Sequence, residues 1–426
     1  MRKSKAIAFL EKYGMSPETV VPVRDAAAMA AEMERGLAGQ GGSLPMIPTY
    51  LSAEGSIPKG VPAAVIDAGG TNFRRALVTF TDEGYRVEEL KKWKMPGVGR
   101  PVRWEDFIRF TADRLEDILD RTDRIGFCFS YSADITPEMD GRVHKIDKEV
   151  VVEGSEGQLV GASLNAELER RGIFGKKIVI LNDTVAVLLG GSSLLDRAAF
   201  DGSIGQVSGT GTNTCCSLPG LRISKLRSGD SRSMIVNLES GMYDGLPSGF
   251  FDKRLDAESN NPGEKALEKM TAGVYLGELS RLMLSAAAEE GLLSDAAAEK
   301  ARSLGRIGSA RIDAWSCGEM LEEICGSEED EDFVRTLCAA VFERSARCMC
   351  TNLAAILLLT GAGRDPARPA CICAEGSLVQ KGRVYRPLLE RLIREEIGDG
   401  LGRYAVLRIG EETTLPGSAA AALLNT

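Results

Sequence analysis

Three short stretches of the chain carry residues that can act on phosphates and hydroxyls. Asp67-Ala68-Gly69-Gly70-Thr71-Asn72 and Gly209-Thr210-Gly211-Thr212-Asn213 are Gly-rich turns, and Asn182-Asp183 ends the buried-strand pattern Lys177–Leu181. Backbone N–H groups reach a phosphate only where the chain comes close, which Gly permits. Two such turns facing each other across a cleft would clamp a triphosphate from both sides. Asp67, at a strand end, would hold waters around Mg²⁺. Neutral polyols are recognised by carboxylates and carboxamides that bond hydroxyls, and Asn182, Asp183, Asn213, Glu239 and Glu268 are such groups beside glycines or element ends. Alone, each turn is equally an ordinary hairpin and each acid is more often a surface charge. Their association is what points to a site.

Other chemistries fall away. Gly175-Lys176-Lys177 lacks the hydroxyl and the earlier Gly of a G-x-x-x-x-G-K-[ST] loop, and Gly209-x-Gly211 is followed by no third Gly, so neither common nucleotide loop is present. With His144 the single histidine, multi-histidine zinc sites cannot be built. Acid–base work falls to carboxylates or lysines. The 10 cysteines contain no C-x-x-C and read as small buried apolar side chains in a reducing compartment.

The elements that position these groups are legible in part. Ala63–Ile66 and Ala76–Phe80 read as strands flanking the first turn, with Gly202–Val207 and Thr214–Leu218 flanking the second. Ile125–Phe129, Lys177–Leu181 and Cys371–Cys373 are further strands. Residues 1–45 read as helical, with a start at Ser16-Pro17-Glu18. Trp104–Leu119 and Leu159–Arg171 have helical spacing; one helix is predicted from Pro262 to about Glu290 and another over Asp332–Leu359. The acids Glu328–Asp332 read as a solvated loop or a helix N-terminus.

At 426 residues, 44% hydrophobic and 27% charged, the chain has ordinary globular composition and is long enough for two cores. A net charge of −9 offers no basic excess for nucleic acid or an anionic membrane. The longest strongly apolar run, Leu353–Leu359, is too short to span a bilayer, and the N-terminus lacks a signal-peptide core. A cytoplasmic protein with no membrane or nucleic-acid partner is the expectation.

Taken in order, these motifs resemble the glucokinase/hexokinase family. The resemblance covers about residues 26–424: I-D-A-G-G-T-N-F-R within Ala64–Val78, Gly126–Gly157 without gaps, I-L-N-D-T-V at Ile180–Val185, V-S-G-T-G-T-N-T-C at Val207–Cys215, N-L-E-S-G at Asn237–Gly241, Asn261–Glu278, A-E-G-S-L at Ala374–Leu378 and Gly417–Ala420. It implies an α/β, two-domain actin-like (ribonuclease-H-like) ATPase fold with an interdomain cleft. Residues 1–60 would be a helical segment on the large domain, 61–185 the small domain, and 186–426 the large domain, its last helix able to return to the small one. It implies a hexose kinase using ATP and Mg²⁺ on glucose, mannose, fructose or glucosamine, as a monomer or homodimer. Asp183 would be the base that takes the sugar 6-hydroxyl proton, and Lys148 would contact sugar and stabilise charge during transfer. Ser130, Asn182, Asn213, Glu239 and Glu268 would bind sugar hydroxyls. Asp67, Gly69, Gly70, Thr71, Asn72 and Arg74 would surround the phosphates on one side, Thr210 and Gly211 on the other, with Gly376 and Ser377 near adenosine. Mg²⁺ would take no direct protein ligand, with Asp67 acting through water.

The chain departs from the family in the sugar pocket. Ser130-Tyr131-Ser132 stands for Ser-Phe-Pro, Ile146-Asp147-Lys148 for Trp-Thr-Lys, and Glu239-Ser240-Gly241 for Glu-Trp-Gly or a close variant. Asp147 would either pair with Lys148 and tune it, or shift preference among hexoses, toward an amino sugar. Two other readings stay open: a non-catalytic sugar sensor on the same fold, which binds sugar without turnover, and a chaperone-type or filament ATPase of the wider superfamily.

Overall fold

The computed structural model describes residues 4–146, 150–226 and 231–426. In chain order its strands are β1 (Ile47–Pro48), β2 (Pro62–Gly69), β3 (Asn72–Phe80), β4 (Tyr85–Lys94), β5 (Val102–Arg103), β6 (Arg124–Phe129), β7 (Ser132–Ile135), β8 (Gly141–Lys145), β9 (Val152–Glu153), β10 (Lys177–Leu181), β11 (Ser203–Ser208), β12 (Thr212–Pro219), β13 (Ser233–Asn237), β14 (Ala370–Glu375) and β15 (Ala405–Ile409). They form two principal sheets. One has the order β10-β6-β2-β3-β4, the other β1-β13-β12-β11-β14-β15.

The two sheets repeat one plan. In each, three consecutive strands meander antiparallel and two later strands add parallel to the first of them. Parallel addition needs a crossover, and helices supply it. Trp104–Leu115 and Val160–Arg170 serve the first sheet; Glu328–Thr360 and Tyr385–Leu392 serve the second. β2 shows why the sheets are covered on both faces. Ala64, Ile66 and Ala68 enter one core while Ala63 and Val65 enter another, as the two-residue period of a strand requires.

The middle core joins the halves. The Asp183–Ser192 helix follows the last strand of the first sheet yet packs on β11 and β14 of the second. The Thr414–Asn425 helix follows the last strand of the second sheet and packs on β2 and β6 of the first. The two helices also cross each other, with Val185, Ala186, Leu188 and Leu189 meeting Leu415 and Ala419–Leu423 in one buried cluster. Both sequences are apolar around nearly the whole helix, which suits elements buried on every side. Small residues set the spacing: a Cβ on Gly417 would fall on the Ala186 carbonyl, and one on Gly190 on the Thr413 carbonyl.

The N-terminal helices cover the second sheet's half. Phe9, from Lys5–Lys12, stacks on Phe251 and meets Phe333 edge-on, with centroids 5.8 and 5.9 Å away. The helix over Pro22–Ala38 starts at Pro22, not at Ser16-Pro17-Glu18, where only a short 3₁₀ turn, Pro17–Thr19, forms. The stretch predicted as one helix from Pro262 is two, Ala266–Thr271 and Gly273–Glu289, broken where Ala272 turns extended and the Gly273 N–H donates to Gly209 O at 2.8 Å. Of the acids at 328–332, Glu328, Glu329, Asp330 and Glu331 lie in the first turn of Glu328–Thr360, where they complement the helix dipole. Nine of the ten cysteines are buried and Cys317 is exposed. Among the described residues no helix is long and apolar enough to cross a membrane.

Candidate active site

The first turn joins β2 to β3 in direct register, Gly69 facing Asn72 across a two-residue connection. Gly70 has φ +57°, and a Cβ there would meet nothing within 4 Å, so the turn's outer side is open. Thr71 and Asn72 are exposed. Asp67 and Arg74 pair in register behind the turn, with Nε and Nη2 of Arg74 donating to Oδ2 of Asp67 at 2.9 and 2.7 Å. Burial pushes the Asp67 carboxyl up; Arg74 pulls it down, and the charge of Asp183 pushes it up again. A carboxylate oriented by an arginine in this way suits a hard cation reached through water, and the residues fit Mg²⁺ held with a nucleotide. Among the described residues no cluster of three or more potential ligands would bind a metal directly.

The second turn, between β11 and β12, closes through Gly209 N–H donating to Gly211 O at 3.0 Å. Thr210 at its tip is exposed. Behind it, a Cβ on Gly376 would fall on the Ser208 carbonyl, and one on Gly209 would lie 3.2 Å from the Ser377 amide. Backbone therefore meets backbone here, with no room for a side chain. Glu375, just before Gly376, accepts from both the amide and the hydroxyl of Thr413, and burial raises its pKa.

Asp183 opens the helix that follows β10, with Asn182 as its cap. Asn182 Oδ1 accepts from the Thr184 amide at 2.9 Å. The same amide and the Thr184 hydroxyl donate to Oδ1 of Asp183 at 2.7 and 3.2 Å. Among the described residues Oδ2 of Asp183 takes no hydrogen bond, so one oxygen is fixed by Thr184 and the other is not. Ser130 follows β6 and stands against the first turn: a Cβ on Gly69 would lie 3.2 Å from its Oγ.

A carboxylate and carboxamide cluster forms where β12 and β13 meet, and the charge of Asp183 acts on it. Asn213 Nδ2 donates to Asn237 Oδ1 at 2.8 Å, and Asn237 Nδ2 donates to Glu239 Oε1 at 2.8 Å. Glu239 is held left-handed at φ +54°, a costly conformation for a non-Gly residue. Burial raises its pKa, Asn237 opposes, and the charges of Asp183 and Glu268 raise it further. Glu268 Oε2 accepts from the Thr212 amide at 3.2 Å, beneath the second turn.

Below that turn lies a buried polar layer. Gln206 Nε2 donates to Ser208 Oγ at 2.9 Å, and Asn352 Nδ2, from the Glu328–Thr360 helix, donates to Thr214 Oγ1 at 2.9 Å. All four residues are essentially inaccessible to solvent.

Two hexokinase family models match the chain, one over residues 6–193 and one over 203–424. Hexokinase-1 of Nicotiana tabacum is 30% identical over 477 residues, covering 100% of this chain and 93% of that protein. The chain belongs to the hexokinase family. A hexokinase of Schwanniomyces occidentalis is also 30% identical, over 86% of this chain and 81% of its own length. The structure of a hexokinase from Schistosoma mansoni complexed with glucose superposes with a TM-score of 0.76 at 22% identity, covering 98% of this chain and 99% of that one. Another hexokinase crystal structure gives 0.77 at 20% identity, over 94% of each chain. The present protein is thus a hexose kinase phosphotransferase on the actin-like ATPase fold.

In this hexokinase Asp67, Gly69, Gly70, Thr71, Asn72 and Arg74 share one hairpin with Ser130 against it, while Asn213 and Glu239 gather with Asn237, and Glu268 bonds the Thr212 amide of the second turn. Asp147 and Lys148 lie outside the described residues. Sequence reasoning missed Asn237, which bridges Asn213 to Glu239; its place two residues before Glu239 at a strand end was the available signal. It also missed the Tyr131 hydroxyl, which donates to Gly70 O at 3.0 Å.

Proposed function

We propose that this enzyme transfers the γ-phosphate of ATP to the 6-hydroxyl of glucose or a similar hexose, with Asp183 as general base. The observation that carries the reading is the Asp183 carboxylate. Thr184 fixes one oxygen, the other is open among the described residues, and its charge acts on both Asp67 and Glu239. That influence on one residue of the first hairpin and on one of the carboxylate cluster supports a role that joins the two. Phosphoryl transfer has a loose transition state, so a protein contributes mainly position and charge. Oδ2 of Asp183 would take the hydroxyl proton as the sugar oxygen attacks. Glu239, Glu268, Asn213, Asn182 and Ser130 would orient the sugar, with Lys148 stabilising charge. Backbone amides of the turns at 69–72 and 209–211 would receive the phosphates, with Gly376 and Ser377 beside the adenosine. Mg²⁺ bound with the nucleotide supplies charge neutralisation; Asp67, oriented by Arg74, would meet it through water. Closure of residues 61–185 on 186–426 would exclude water, which otherwise competes with sugar as acceptor.

The test is ADP release with Mg-ATP against glucose, mannose, fructose and glucosamine. Turnover should require sugar. Asp183→Ala should lower kcat by about 10²- to 10⁴-fold while glucose still binds, the usual worth of a general base. Sugar binding without wild-type turnover would replace this reading with a sugar sensor.

A further inference from the structure

The turn between β2 and β3 contains a single peptide unit, Gly70–Thr71, between its two central residues. Its carbonyl is bound: the Tyr131 hydroxyl donates to Gly70 O at 3.0 Å. The next carbonyl is bound as well, with the Met95 amide donating to Thr71 O at 2.9 Å. Tyr131 is 5% exposed and its ring meets Phe129 edge-on at 5.2 Å, so the hydroxyl approaches from the protein interior. In a trans peptide the C=O and N–H point in opposite directions. Holding the Gly70 carbonyl inward therefore turns the Thr71 N–H outward, on the open side of the turn. A hydrogen bond at the carbonyl also polarises the peptide and strengthens the N–H as a donor.

We propose that Tyr131 is a positioning residue for the phosphoryl donor: its hydroxyl holds the Gly70–Thr71 peptide with the Thr71 N–H aimed at a nucleotide phosphate. The proposal rests on the reading of this hairpin as the phosphate turn. It goes further in assigning a task to the oxygen that distinguishes Ser130-Tyr131-Ser132 from Ser-Phe-Pro. Because Ser130 is the preceding residue and lies against Gly69, the sugar side and the phosphate side are joined through one rigid step.

Tyr131→Phe removes the oxygen and keeps the ring. Initial rates are measured with Mg-ATP and glucose varied independently, alongside the thermal midpoint and nucleotide titration without sugar. The expected result is a rise of about 3- to 10-fold in KM for Mg-ATP, the range of one neutral hydrogen bond. The nucleotide dissociation constant should rise in parallel, while KM for glucose stays within about twofold. If the ATP and glucose constants move in step, Tyr131 only supports the fold and the inference fails. It fails too if Tyr131→Phe matches a turning-over wild type in every constant. A wild type with no sugar-dependent turnover would instead overturn the underlying reading, and the inference with it.

Discussion

Glu239 carries its charge where burial opposes it, and this has a measurable consequence for stability. Its carboxyl is raised above the ordinary value of 4.5, first by burial and then by the charges of Asp183 and Glu268. Between the unfolded and folded pKa values the folded protein holds a proton that the unfolded chain has lost. Stability contributed by this group is therefore present at low pH and falls as pH rises through that window. Glu239→Gln keeps an acceptor for Asn237 and removes the charge. It should raise the thermal midpoint at pH 7 by about 1–3 °C, a gain that vanishes below pH 4.5. The same change should weaken glucose binding about 10- to 100-fold, because a charged acceptor is worth more to a hydroxyl than a neutral one. Melting curves at several pH values, with sugar titrations beside them, check both signs. The candidate site residues were legible because they sit in short motifs with Gly. Asn237 and Tyr131 were not, because each has a partner distant in sequence: Asn237, beside Glu239, also accepts from Asn213 on β12, and Tyr131 reaches back to Gly70.

Elements tell a similar story about glycine. Gly70 lies at φ +57° with open space around it, so Gly70→Ala should cost only the left-handed backbone penalty, about 1–2 kcal/mol. Gly417 is helical, where alanine ordinarily gains about 1 kcal/mol. Its Cβ would fall on the Ala186 carbonyl, however, so Gly417→Ala should destabilise by about 1–3 kcal/mol through overpacking. An increase in the melting temperature of Gly417→Ala would show that the two helices separate at little cost. Neither outcome follows from propensity, and the same limit explains which elements were hidden. β4 reads Y-R-V-E-E-L-K-K-W-K and is exposed along most of its length, so no alternation marks it as a strand. The break at Ala272 is set by the Gly273 amide bonding the turn at Gly209, a contact that helical periodicity cannot register. Lys177–Leu181 was legible to the residue because the burial of a parallel strand writes the apolar run Ile178–Leu181 directly.

At the scale of the molecule, the repeated plan was legible in part: a strand hairpin around a Gly-rich turn was read in each half and stands there, whereas the third, exposed strand of the first meander was not read. What joins the halves is an exchange: each sheet hands its following helix to the other. Deleting residues 411–426 should therefore remove the cover from β2 and β6, on the half that those residues do not follow in sequence. Amide exchange in Ala63–Ile66 and Ile125–Phe129 should approach unprotected rates, whereas without the exchange these strands would keep their protection. The same arrangement constrains how the chain is made. The first sheet leaves the ribosome early, yet the helix that covers Ala63, Val65 and Val78 emerges only after the second sheet has been translated. Until then a greasy face waits without its lid, so the nascent chain is a natural client for holding chaperones, and the early half cannot mature on its own schedule.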